Sequence, residues 1–178
     1  MLKAKYNRLC KNVLRKDVLQ NVFNYITLFI VFVSCTNNTI FTEYKSIPNN
    51  KWHKDSIISF HFNAKDTVSK NNIYINLRNN KEYEFNNLFL ITSVEFPNKT
   101  KVIDTLEYEM TDAKGRFLGT GFTDTKENKL EYKASIPFAI QGDYHFTIKQ
   151  AMRKIGEENG VNFLNGISDI GIEINKIN

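Results

Sequence analysis

The sequence predicts an all-β fold, an antiparallel β-sandwich of about seven or eight strands, on three observations. Apolar residues recur at every second position over most of the chain after residue 50, the period of a strand with one buried face. Turn-formers interrupt these runs at roughly ten-residue spacing, as the loops of a sandwich do. No segment there carries the 3.6-residue period of a long helix, which argues against a β/α fold. A chain of 178 residues that is 42% hydrophobic and 24% charged falls in the globular range, which excludes collagenous and wholly disordered classes.

The strands follow in order. Ile58, Phe60 and Phe62 alternate with Ser59, His61 and Asn63, and Ile73, Ile75 and Leu77 alternate with Tyr74, Asn76 and Arg78. Leu88-Phe89-Leu90-Ile91 is apolar on both faces and runs on through Val94 to Phe96, so a central strand is expected. Pro97-Asn98-Lys99-Thr100 supplies a hairpin loop. The return strand carries Val102, Asp104, Leu106, Tyr108 and Met110 and ends at a type I turn over Asp112-Ala113-Lys114-Gly115. Later strands centre on Leu130 to Ile136, Tyr144 to Ile148 and Ile170 to Ile174. Residues 117–128 and 151–166 lack alternation and read as loops, with a short helical turn expected near Gln150 to Lys154. Loops of that length often carry function.

Ahead of the sandwich lies an export signal. Residues 1–34 hold six basic residues and one acid, Asp17, followed by the apolar run Ile26 to Val33 and the small residue Ser34. A basic segment, an apolar segment and a small residue at the cut make a secretory signal peptide. The run is too short to cross a bilayer, which takes about 20 apolar residues. Phe32-Val33-Ser34-Cys35 resembles the lipobox of bacterial lipoproteins, with Phe32 where Leu is usual. Cys35 is therefore the expected lipidation site and the first residue of the mature chain. Residues 35–50 are polar and contain Pro48, and read as a lipidated tether; residues 51–178 make the sandwich domain.

The cut changes the electrostatics. The full chain carries 24 basic and 19 acidic residues, a formal charge of +5, but the leader takes six bases and one acid with it, leaving 18 of each. The excess charge belongs to the leader, so no nucleic-acid partner is expected of the folded domain. Attachment to the membrane is expected through acyl chains, which contribute about 0.8 kcal/mol per buried methylene.

Chemistry is sparse. His53, His61 and His145 have no metal-ligand spacing, and no metal or other cofactor is expected. An enzymatic reading would need His61, His145 and an acid to converge. Gly115, Gly119 and Gly121 lack the Lys-Ser/Thr of a phosphate loop, and Glu107 with Glu109 is the kind of acidic pair that 18 acids produce by chance. No catalytic residue is assigned. The single Trp, Trp52, stands where tether meets sandwich: it is either an anchor packed into the domain or a contact for a sugar ring or protein partner. With the Tyr-rich strands, it motivates an alternative reading as a carbohydrate-binding sandwich lipoprotein.

Ordered blocks over the mature chain carry a family resemblance: Glu43-Tyr44-Lys45-Ser46-Ile47-Pro48, Lys51-Trp52, Ile75-Asn76-Leu77-Arg78-Asn79, Asn87-Leu88-Phe89-Leu90, Asp104-Thr105-Leu106-Glu107-Tyr108-Glu109-Met110, Lys126-Glu127-Asn128-Lys129, Gln150-Ala151-Met152-Arg153 and Gly166-Ile167-Ser168-Asp169-Ile170-Gly171. Together with Cys35 they resemble the gliding motility lipoprotein GldH family. The resemblance implies a noncatalytic envelope lipoprotein of Bacteroidota, an accessory to the gliding machinery that is coupled to type IX secretion. Its implied partners are the membrane and other gliding or secretion proteins. Thr36 after the lipidated Cys is not the Asp of inner-membrane retention, and no acidic surface-export cluster follows. The expected location is therefore the outer membrane, facing the periplasm. Asp55-Ser56-Ile57, Asp66-Thr67-Val68 and Asp104-Thr105-Leu106 resemble the triplets that these bacteria O-glycosylate, making Ser56, Thr67 and Thr105 candidate modification sites, of which one at most is expected to be used.

Overall fold

A computed structural model describes residues 38–121 and 123–177; the leader and Cys35 lie outside the described residues. The strands are β1 (Thr39–Ser46), β2 (Lys51–His53), β3 (Ile58–Ala64), β4 (Lys70–Asn79), β5 (Asn87–Glu95), β6 (Lys101–Glu109), β7 (Lys126–Pro137), β8 (Gly142–Gln150), β9 (Phe163–Asn165) and β10 (Ile167–Lys176). They form two four-stranded antiparallel sheets, ordered β1-β10-β4-β7 and β3-β8-β5-β6, and a small β2-β9 ribbon. This is the expected sandwich.

Alternation decides which face of each strand is buried. In β4, Ile73, Ile75 and Leu77 point inward; in β10, Ile170, Ile172 and Ile174 do the same; from the facing sheet come Phe60, Leu88, Leu90, Tyr144, Phe146 and Ile148. Each such side chain removed from water stabilises the fold by roughly 1.5–3 kcal/mol. β5 is central, between β8 and β6, which accounts for its apolar residues on both faces. The Pro97 hairpin closes with Phe96 N–H donating to the Thr100 carbonyl at 2.9 Å. Lys99 there adopts φ 68°, and Asn98 Oδ1 accepts from the Thr100 amide and hydroxyl.

The expected tether over 35–50 is corrected for its greater part. Thr39–Ser46 pairs with β10 from Thr39↔Asn175 to Ser46↔Asp169, so the sandwich begins at Thr39. The polar composition misleads because β1 is an edge strand: Thr42, Tyr44 and Ser46 lie on the outer face, and only Phe41 is a large apolar residue on the inner one. The helical turn expected near Gln150 to Lys154 is also corrected. Gln150 ends β8, and the Gln150 side chain bonds the backbone of its own loop, accepting from Met152 N–H at 2.8 Å and donating to the Val161 carbonyl at 2.8 Å. Those bonds replace the ones a helical turn would have made.

Two glycines are placed by close approach. Gly166, at φ 81°, links β9 to β10, and a Cβ there would collide with the backbone of Tyr83. At Gly171, in the middle of β10, a Cβ would meet the Tyr44 ring at 2.8 Å. That ring lies across the space which a side chain would have filled, and the Arg78 guanidinium sits 4.6 Å above it.

Candidate functional site

The outer face of the β3-β8-β5-β6 sheet brings together residues that are far apart in sequence. Register pairs His61 with His145, His145 with Glu95, and Glu95 with Lys101, so one polar row crosses all four strands. The two imidazoles are stacked, with centroids 4.3 Å apart and planes 4° from parallel. Desolvation, then the neighbouring His61, lower the His145 pKa below the usual histidine value. Glu95 is held below the usual carboxylate range by hydrogen bonds from Lys101 and Lys99, at 2.9 and 3.2 Å. The next row is Ser59, Thr147, Ser93 and Ile103, with Ile103 68% exposed.

The two His and an acid thus converge, as the enzymatic reading required, but on an open sheet face. None of the three cavities described below includes His61 or His145. General acid–base chemistry gains its strength from positioned, water-excluding sites. Among the described residues no cluster of three or more His, Cys, Asp or Glu is placed to hold a metal.

A concavity of about 780 Å³ lies at the end of this face, under the loop of residues 151–162. Phe89, Ile91, Met152 and Ile155 line it together with Lys149 and Glu157. The loop's base is rigid: Met152 is buried, the Ala151 amide donates to the Phe89 carbonyl at 2.9 Å, and Val161 N–H donates to the Met152 carbonyl at 2.8 Å. Its tip presents Ile155 fully to solvent. A second cavity of about 450 Å³ lies against Asn76, Glu127, Lys129 and Glu173 on the other sheet. A third, about 300 Å³, is an apolar cleft between the sheets at Val94, Tyr132 and Phe138.

Trp52, expected as an anchor or as a surface contact, is the anchor. Its ring is fully buried and its indole N–H donates to the Ser56 carbonyl at 3.0 Å, so it has no open face for a sugar or a partner. The tyrosines do no better as platforms. Arg78 covers Tyr44 and Lys129 covers Tyr74, while Tyr83, Tyr132 and Tyr144 are buried. The Tyr44 hydroxyl donates to Glu127 at 2.6 Å, and burial together with that carboxylate pushes its pKa up to about 12. The carbohydrate-binding alternative therefore loses the aromatic surface that motivated it.

Of the triplets that resemble glycosylation sites, Ser56 lies exposed in the β2–β3 turn, Thr67 is exposed in the β3–β4 loop, and Thr105 faces outward from the edge strand β6. Glu107 accepts from the Asn87 side-chain amide at 2.9 Å. The loop-covered cleft was not foreseen as a site. Its signal was a non-alternating stretch holding Met152 and Ile155 among charged residues.

Among its described residues, the two-sheet β module combines a loop anchored at its base with an open polar face that carries the stacked His61–His145 pair. Comparison with known proteins gives the family. The GldH lipoprotein family model matches residues 39–174. A gliding motility lipoprotein GldH homolog of Christiangramia forsetii is 44% identical, covering 88% of this chain and 95% of that one. Gliding motility lipoprotein GldH of Flavobacterium johnsoniae is 46% identical, over 82% and 89%. The chain belongs to the GldH lipoprotein family. Among solved structures, a family GH115 4-O-methyl-α-glucuronidase aligns with 79% of this chain and 18% of its own at TM-score 0.40 and 9% identity, a likeness that carries no argument about activity.

Proposed function

We propose that the chain is an envelope lipoprotein acylated at Cys35 and works, without catalysis of its own, as an accessory component of the gliding machinery, coupled to type IX secretion. Its sandwich docks on other proteins of that apparatus from the inner leaflet of the outer membrane, facing the periplasm. One observation carries this: similarity to two proteins named as gliding motility lipoproteins extends over more than four-fifths of the chain. The open placement of the His61–His145 pair supports the noncatalytic part.

Complementation of a deletion strain tests the role. The wild-type gene should restore spreading over agar and Cys35→Ala should not; full spreading by Cys35→Ala would count against the acyl anchor. Protease added to intact cells should leave the domain whole, and its digestion would refute the periplasmic placement. A photo-crosslinker at Ile155 in the loop, compared with one at Ile103 on the open sheet face, would show which surface meets a partner. We also propose that at most one of Ser56, Thr67 and Thr105 carries an O-glycan, which mass spectrometry of the mature chain would locate.

A further inference from the structure

The strands run end to end, so the sandwich has two distinct ends. At one end lie the start of β1, the β3–β4 loop and the chain's last residues, joined by hydrogen bonds. Lys176 N–H donates to the Asn38 carbonyl, Ile177 N–H donates to the Lys70 carbonyl, and Lys176 Nζ pairs with Asp66 at 3.0 Å. Asp66 also organises its own loop, accepting from the amides of Val68 and Ser69 at 3.0 Å each and from the Ser69 hydroxyl at 2.6 Å. These bonds hold the Asp66 carboxyl well below the usual range. The loop they fix projects Val68, which is 86% exposed. Ile40 and Ile177 at the same end are 47% and 38% exposed. Lys65 and Lys70 flank Val68 and pair with no acid among the described residues. A fixed apolar tip between two unpaired lysines complements a phospholipid surface, which is anionic at its headgroups and apolar beneath them.

The length of chain ahead of Asn38 says what covers this end. Asn38 follows Cys35 by three positions, and at most about 3.6 Å per residue those three steps reach roughly 11 Å. A domain held so closely to acyl chains has no room to swing away from the headgroups. We propose that this end of the sandwich seats on the phospholipid surface, with Val68 entering the headgroup layer and Lys65 and Lys70 against anionic headgroups. β8, nine residues long and starting opposite Ala64 beside the β3–β4 loop, then carries the loop-covered cleft roughly 30 Å further out. Seating also bears on modification: Thr67 lies beside Val68 against the lipid, whereas Ser56 is at the far end and accessible.

The inference rests on acylation of Cys35, and the experiment separates the two. Acylated mature chain carrying Val68→Cys, or Ile155→Cys as the far-end control, is labelled with an environment-sensitive nitrobenzoxadiazole dye and reconstituted into phosphatidylethanolamine–phosphatidylglycerol vesicles. Both substitutions fall at exposed positions, and Cys35 is blocked by its acyl chain. The protein should float with the vesicles, and dithionite should bleach the Val68 label at least fivefold more slowly than the Ile155 label. Flotation with equal bleaching rates overturns the seating and leaves the anchor standing. Failure to float overturns the anchor and the seating with it.

Discussion

Replacing Trp52 by alanine should cost the domain about 4 kcal/mol, because truncating a large buried aromatic costs roughly 3–5 kcal/mol in lost transfer energy and residual cavity. The ring is fully buried and stands on β2, three residues long, which has only β9 as a partner. The indole N–H also closes the following turn on the Ser56 carbonyl, and solvent at exposed Ser56 recovers most of that bond, so the cavity dominates. With an m-value of about 2 kcal/mol/M in urea, the midpoint should fall by about 2 M, a large share of a domain stability of roughly 5–15 kcal/mol. Far-UV circular dichroism of the unacylated mature domain is the assay, since the variant has lost the only Trp. Before mutation, Trp emission should be blue-shifted, resistant to iodide and unmoved by sugars. A midpoint change under about 0.5 M, or a quenchable emission that responds to a glycan, would refute the reasoning.

Gly171→Ala should destabilise by about 1–3 kcal/mol, because its methyl would enter the Tyr44 ring that lies 2.8 Å away; Tyr44→Ala in the same chain should recover part of the loss, measured by urea midpoints. Asn128→Ala should cost about 1–3 kcal/mol, since its amide donates to the Leu77 carbonyl and, at 2.8 Å, to Asn79 Oδ1, all beneath the surface; thermal unfolding would show it. The lowered His145 pKa has a signed consequence. The unfolded chain binds the proton more readily, so this contribution is complete above the unfolded value near 6.5 and is lost as pH falls through the folded one. His61→Gln removes one of the causes and should raise the His145 value, read from its imidazole NMR signals. An unchanged titration would show that the stacked neighbour is electrostatically silent.

Much of the architecture was legible because burial on one face of a strand writes itself as alternation. Ile73, Ile75 and Leu77 announce β4, and the Pro97 loop announces the β5–β6 hairpin. The first strand escaped because an edge strand satisfies its backbone with one neighbour and needs few apolar residues, so Thr39–Ser46 looks polar. The loop over the cleft escaped for a different reason. Gln150 closes the loop on the Val161 carbonyl and Met152 Sδ accepts from the Phe89 amide on another strand, and no hydrophobic period records those partners.

Fold class, family and the confinement of the excess charge to residues 1–34 can all be read along the chain, because periodicity, motif blocks and charge counts are properties of residues taken in order. Only the tertiary structure decided that Trp52 is core and that His61 meets His145 on an open face. It alone brought the loop of Lys65, Val68 and Lys70 to the end of the sandwich where Asn38 lies. Those outcomes depend on strand order and register, which bring together residues far apart in the chain: 84 positions for His61 and His145, 123 for Ser46 and Asp169. Contacts of that range are set by the pairing of whole faces, and no single segment encodes them.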